Sequence, residues 1–247
     1  MRQEDLRLGV EREQLFDHWA DSYDESVMDP TGFPHEGYER VLDLVAERAR
    51  VEPGMEVLDI GIGTGNLAGR LLDLGCEVWG LDFSLRMLAK VHEKYPQIEL
   101  VKADIKGDWP IDVDHRFDRV VSAYALHEFD LKSKVRLLHK LVRDHLSDGG
   151  RVVIGDVSFP TRGARDEAPE RYGRSVDAET GEERIVWDYD EFYWAADEAV
   201  EALAAAGLTA CYEQVSFCGG VYVIERTAAP GEDDAVCESG MSEAGAT

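Results

Sequence analysis

The stretch Val57-Leu58-Asp59-Ile60-Gly61-Ile62-Gly63-Thr64-Gly65-Asn66 constrains this chain more than any other. A β-prone run feeds a loop with glycine at every second position, and Leu67, Leu71, Leu72 and Leu74 follow at helical spacing. Strand, tight turn and helix in that order open a βαβ unit. Glycine permits positive φ and lets backbone approach a ligand closely, while the first amides of the helix point at it, so a polar ligand is expected here. A dinucleotide fingerprint would need its third glycine at the position of Asn66, and Asp59 sets a carboxylate beside the place of a pyrophosphate. The spacing therefore disfavours NAD.

Downstream the alternation continues. Strands are expected over 55–60, 77–81, 98–103, 117–125 and 151–157. A helix opened by Ser84 carries Leu85, Leu88 and Val91 on one face, and another over 131–146 is closed by Asp148-Gly149-Gly150. Residues 158–190 break the rhythm with Pro, Gly and many charges and read as a long irregular insertion, either a lid or acceptor pocket built on Arg162, Arg165, Arg171, Arg174, Trp187 and Tyr189, or a solvated connection. A helix over 191–206 and a hairpin of 208–217 with 221–225 complete the pattern. The expected architecture is a Rossmann-like α/β fold with a seven-stranded sheet, mostly parallel with an antiparallel last strand, and helices on both faces. One domain spans 1–226, residues 1–50 forming a helical cap, and the Ala, Gly, Glu and Ser-rich segment 227–247 reads as a disordered acidic tail.

Charge narrows the partners. Fifty-one acidic against 26 basic residues leave a formal charge of −25, which would repel phosphate backbones, so no nucleic-acid substrate is expected. No run approaches the roughly eighteen apolar residues of a membrane span, and residues 1–10 lack the apolar core of a secretory signal, which points to a cytoplasmic protein without membrane association. Cys76, Cys211, Cys218 and Cys237 show neither Cys-x-x-Cys pairing nor zinc spacing; they read as reduced structural thiols, and no metal site is expected.

The motif Asp-x-Gly-x-Gly-x-Gly resembles motif I of class I S-adenosylmethionine methyltransferases. That resemblance implies that Asp59 and the loop of Gly61, Gly63 and Gly65 receive the methionine amino and carboxylate groups. Trp79-Gly80-Leu81-Asp82 adds a carboxylate about 20 residues beyond the first glycine, placed to accept both ribose hydroxyls, with a helix N-cap beside Ser84 as the alternative. In Val101-Lys102-Ala103-Asp104-Ile105 the resemblance puts Asp104 on the adenine amino group; Met87 and Ile105 either sandwich the purine or pack as plain core. His127 and Glu128, in Tyr124-Ala125-Leu126-His127-Glu128, would deprotonate an acceptor or simply order their loop. Tyr23 and Trp19 would close over the methionine end or dock an amphipathic helix.

From about Leu15 to Arg226 the chain is similar to the YrrT-type methyltransferases, with a broader likeness to ubiquinone-biosynthesis and malonyl-carrier methyltransferases. An Asn/Asp-Pro-Pro-Tyr motif of base-amino and glutamine methyltransferases is missing. The implied reaction is direct displacement of a methyl group from S-adenosylmethionine to a small-molecule acceptor by a monomer or homodimer. Two other readings stay open: a non-catalytic binder of S-adenosylmethionine or S-adenosylhomocysteine, and an NAD-linked reductase.

Overall fold

The computed structural model describes residues 14, 17, 20, 21, 23–27, 32–107, 109–176 and 183–227. Leu15, Phe16, Trp19 and the segment 228–247 lie outside them. In chain order the elements are α1 (Tyr23–Val27), α2 (Tyr38–Ala49), β1 (Glu56–Ile60), α3 (Asn66–Asp73), β2 (Glu77–Asp82), α4 (Leu85–Lys94), β3 (Glu99–Lys102), β4 (Phe117–Ala123) and α5 (Leu131–Lys140). There follow β5 (Leu146–Phe159), α6 (Arg162–Tyr172), β6 (Arg174–Val176), β7 (Glu183–Ile185), β8 (Trp194–Ala195), α7 (Ala196–Ala205), β9 (Leu208–Gln214) and β10 (Gly219–Arg226).

The main sheet runs β3-β2-β1-β4-β5-β10-β9. Strands β1 to β5 pair in parallel, and β10 is antiparallel to both of its neighbours. Both faces are covered, which explains why β1 is apolar at Val57, Leu58 and Ile60, on both faces of the sheet. Val57 packs with Val45, Leu67, Leu71 and Val91 on the side of α2, α3 and α4. Leu58 and Ile60 point the other way and join Leu138, Ala199 and Leu203 of α5 and α7. Close packing of α2 depends on Gly155 of β5, where a Cβ would lie 2.6 Å from Val41 Cγ1 and 2.7 Å from Val45 Cγ2. No described helix is long and apolar enough to cross a membrane.

The structure corrects several sequence expectations. The helix expected over 131–146 ends at Lys140 in a π-turn over Leu141–His145, and β5 starts at Leu146. Asp148-Gly149-Gly150 is therefore not a helix stop but an early irregularity in a long strand, with Gly149 at φ 73°. The insertion is ordered over its described part, as α6 followed by the β6/β7 hairpin. Trp194 and Ala195, expected as helix, instead pair with β5. Cys76 and Cys218 are free and buried, whereas Cys211 is disulfide-bonded rather than reduced.

Candidate active site at the carboxyl edge of the sheet

Beyond β1 the chain reverses at Gly61, whose amide and that of Ile62 both donate to the Leu81 carbonyl, at 2.8 and 2.9 Å. Gly61 has φ 71°, and a Cβ there would collide with Ala125 Cβ, so only glycine lets the loop pass the end of β4. Asp82 then fastens the loop to the end of β2. Its Oδ2 accepts from the Gly63 amide at 3.0 Å and its Oδ1 from the Ser84 amide at 2.9 Å. The N-cap of α4 is Ser84, whose hydroxyl accepts from Met87 N at 3.1 Å, so the cap and the carboxylate are separate devices. Burial pushes Asp82 up to about 6, against the pull of these amides.

Asp82 opens onto a cavity with Met87, Ile105, Tyr23, Tyr124 and Glu128 among its walls. Asp104 is exposed, and its Oδ1 accepts from Lys106 N at 2.9 Å to close a turn; its neighbours Ala103 and Ile105 make the wall. A second, smaller lobe shares Tyr23, Gly61, Gly63 and Ala123 with the first and is floored by Asp59, Tyr38, Thr64 and Asn66. Asp59 is 1 % exposed, and its Oδ2 has no hydrogen-bond partner among the described residues. Burial, with the Asp82 charge as the lesser cause, pushes it up to about 8. An unpartnered buried carboxylate oxygen facing a polar lobe is a receptor for a donor that the chain itself does not supply.

Residues missed by sequence reasoning hold this lobe together. Asp24 accepts from Thr64 Oγ1 at 2.5 Å, Asn66 Nδ2 at 3.1 Å and Lys94 Nζ at 2.6 Å, which ties α1 to the glycine loop. Burial raises the Tyr23 phenol well above its usual range, with Tyr38 hydrogen-bonded beside it. The only signal for Asp24 was its place next to Tyr23, and nothing in the sequence ties it to Asn66.

His127 and Glu128 part company. Both sit on a 3-10 turn, Leu126–Glu128. Glu128 lines the larger lobe and pairs with Lys106 Nζ at 3.1 Å. His127 does not line it; its Nδ1 lies 2.6 Å from Asp156 Oδ1, and its carbonyl accepts from Phe192 N at 2.7 Å. Asp156, fully buried on β5, also accepts from Leu126 N at 3.1 Å, Val157 N at 2.8 Å and Trp194 Nε1 at 2.9 Å. Burial alone would lower the imidazole, but the Asp156 carboxylate overrides it and raises His127 to about 8. A cationic imidazole is a clamp on the turn, and at neutral pH it has no free lone pair for a proton. Among the described residues no group of three or more His, Cys, Asp or Glu could hold a metal ion.

The matched family is described as Methyltransferase domain, over residues 57–150. An uncharacterized methyltransferase of Geobacillus thermodenitrificans is 31% identical over 216 residues, covering 84% of this chain and 93% of the relative. One from Geobacillus sp. (strain WCH70) is 32% identical over 217 residues, covering 84% and 94%. The chain belongs to the class I S-adenosylmethionine-dependent methyltransferases. The fold of this methyltransferase is shared with DhpI in its SAM-HEP complex, at a TM-score of 0.63, 23% identity and coverage of 88% and 98%.

The His127 clamp has a consequence for stability. The imidazole titrates at about 8 in the folded methyltransferase against 6.5 unfolded, so its contribution is fully present below pH 6.5 and is lost as pH rises through 8. That contribution amounts to about 2 kcal/mol. Urea unfolding at pH 6 and pH 9 is expected to show this loss in the wild type and a smaller one in His127→Gln; equal losses would remove the imidazolium from the account.

Proposed function

We propose that this methyltransferase moves a methyl group to a small-molecule acceptor. The observation that carries the reading is the two-lobed cavity whose inner lobe ends on the unpartnered Asp59 carboxylate. Asp59 suits the donor's ammonium, and the amides around Gly61, Gly63 and Gly65 suit its carboxylate. Asp82 suits the ribose, and Met87 and Ile105 bracket the purine with Asp104 beside it. Tyr23 closes the methionine end. When bound, S-adenosylmethionine supplies an activated methyl group that an in-line nucleophile displaces, so positioning by the protein can provide most of the acceleration. Glu128, on the cavity wall, is the carboxylate assigned to the acceptor's proton, and His127 holds the turn that presents it. A chain this acidic disfavours a polynucleotide acceptor. We read it as a cytoplasmic enzyme, monomer or homodimer, whose domain covers 1–226.

Calorimetric titration with S-adenosylmethionine, S-adenosylhomocysteine and NADH tests the reading. The first two are expected to bind and the third not; a preference for NADH would reinstate the reductase. A proton count refines the test. Asp59, at about 8, is protonated in the free protein at pH 7 and ionises when it pairs with an ammonium. Binding of S-adenosylhomocysteine at pH 7 is therefore expected to release up to about one proton, seen as a dependence of the heat on buffer ionisation enthalpy. Asp59→Asn should release none, and a proton-neutral wild type would argue against the pairing.

A further inference from the structure

A groove runs between the loop after β3 and helix α5, with Ile105, Trp109, Phe129, Leu137 and Phe192 as its apolar walls. It shares Ile105, Glu128 and Phe129 with the donor cavity, so the two adjoin. Three cations, Lys106, Arg136 and Lys140, line it against two carboxylates, Glu128 and Asp130. Both carboxylates are already engaged. Glu128 pairs with Lys106 Nζ at 3.1 Å. Asp130 is the N-cap of α5, where its Oδ1 accepts from Ser133 N at 2.6 Å, and that amide holds it below the usual carboxylate range.

That leaves Arg136 and Lys140, one turn apart on the same face of α5. Neither makes an ion pair among the described residues. Arg136 Nη2 donates to Ser133 Oγ at 3.0 Å, which steadies the guanidinium and leaves its other N–H groups open. Lys140 Nζ sits 4.9 Å from the centroid of the Trp109 ring. Trp109 is itself fixed, by donation from Nε1 to the Val113 carbonyl at 3.1 Å and by stacking on His145 at 4.3 Å between centroids. Helix α5 carries no Asp or Glu within its length, in a chain whose formal charge is −25. The field of such a chain repels anions over most of its surface, and two uncompensated cations beside an apolar wall make a local exception.

We propose that this groove binds an organic anion, a carboxylate or phosphate carried on a flat apolar body, with Arg136 and Lys140 taking the charged end and Phe129, Leu137 and Phe192 the body. A guanidinium fork matches two oxygens of such a group, and the ammonium adds a point charge beside it. The Phe192 ring, 49% exposed at the rim, loses water when the body is seated. The site adjoins the purine wall of the donor cavity through Ile105, and no step of methyl transfer is assigned to it.

Calorimetric titration of the full chain at low salt compares 2-naphthoate, its neutral counterpart 2-naphthol, and inorganic phosphate. 2-Naphthoate is expected to bind roughly ten times more tightly than either, since it alone fills both the apolar wall and the cationic end. Raising sodium chloride to about 1 M should remove most of its advantage over the alcohol. The double variant Arg136→Gln with Lys140→Gln should bring 2-naphthoate down to the level of 2-naphthol. Its melting temperature should move by no more than about 2 °C, because Arg136 is exposed and Lys140 half-buried. Arg162→Gln with Arg174→Gln makes the same change in net charge at exposed positions outside the groove and should leave binding unchanged. The proposal is overturned if 2-naphthol or phosphate binds as tightly as 2-naphthoate, if 2-naphthoate does not bind, or if the Arg136 and Lys140 double variant keeps wild-type affinity. Should that variant fail to fold, the ligand ranking on the wild type and its salt dependence decide. Every titration is made without S-adenosylhomocysteine, so the outcome stands apart from the donor reading.

Discussion

Asp82→Ala is expected to weaken binding of S-adenosylhomocysteine by about a hundredfold or more. Two hydrogen bonds from a ligand diol to a carboxylate contribute about 3 kcal/mol together, which is two decades of affinity. The side chain also accepts from the amides of Gly63 and Ser84, so its loss frees the glycine loop from the end of β2 as well. Asp82→Asn keeps one carbonyl oxygen for one of those amides and should fall between the two, at roughly a tenfold loss. Calorimetric titration of the three proteins gives the series, with thermal melts reporting whether the fold survives. An alanine variant that binds within threefold of wild type would place the ribose elsewhere.

Asp156→Ala should act on stability rather than on the donor. Four donors converge on this one buried carboxylate: the amides of Leu126 and Val157, the Trp194 indole and the His127 imidazole. Truncation leaves all of them unpaired, one of them charged, and a loss of about 3–5 kcal/mol is expected. For a domain of this size that is a fall in melting temperature of roughly 10 °C. His127→Gln removes only one of the four and should cost less. A melt within two or three degrees of wild type, taken as about 1 kcal/mol, would show that water replaces the carboxylate.

These two aspartates also mark how far the sequence could be read. Asp82 was legible because its chemistry is local: a carboxylate at the end of an apolar run, at the right distance from a glycine loop. Asp156 left one trace, a charged residue inside Val152-Val153-Ile154-Gly155-Asp156-Val157, where a buried polar group calls for an explanation. Its partner His127 is 29 positions away, and residue spacing carries no information about that meeting. Adjacency in sequence points His127 to Glu128, whereas the fold gives it to Asp156.

The alternation of strand and helix was likewise legible wherever both faces of a strand are buried. It failed over 158–190 for a physical reason. Helix α6 has a single buried residue, Ala168, and an internal Pro169, so there was no apolar stripe to find; Thr161, which caps it by accepting from Ala164 N at 3.1 Å, was its one signal. Strand β8 is two residues long and exists only because β5 extends to Phe159 to meet it. Gly149 misled for the opposite reason, since positive φ serves an irregular strand as well as a helix end.

Strand β10 sits between β5 and β9, although it is the last of the three along the chain. During synthesis the seam therefore stays open until residues 219–226 have left the ribosome. Before then β5 and β9 each present an unsatisfied row of backbone amides and carbonyls, a template for mispairing. The half of the sheet built from β1 to β4 needs none of these late residues for its own pairings, so the nascent chain can assemble its glycine loop while its sheet is still incomplete. A ribosome stalled just short of residue 219 would hold such a half-built sheet, exposed to proteases and chaperones at the β5 edge.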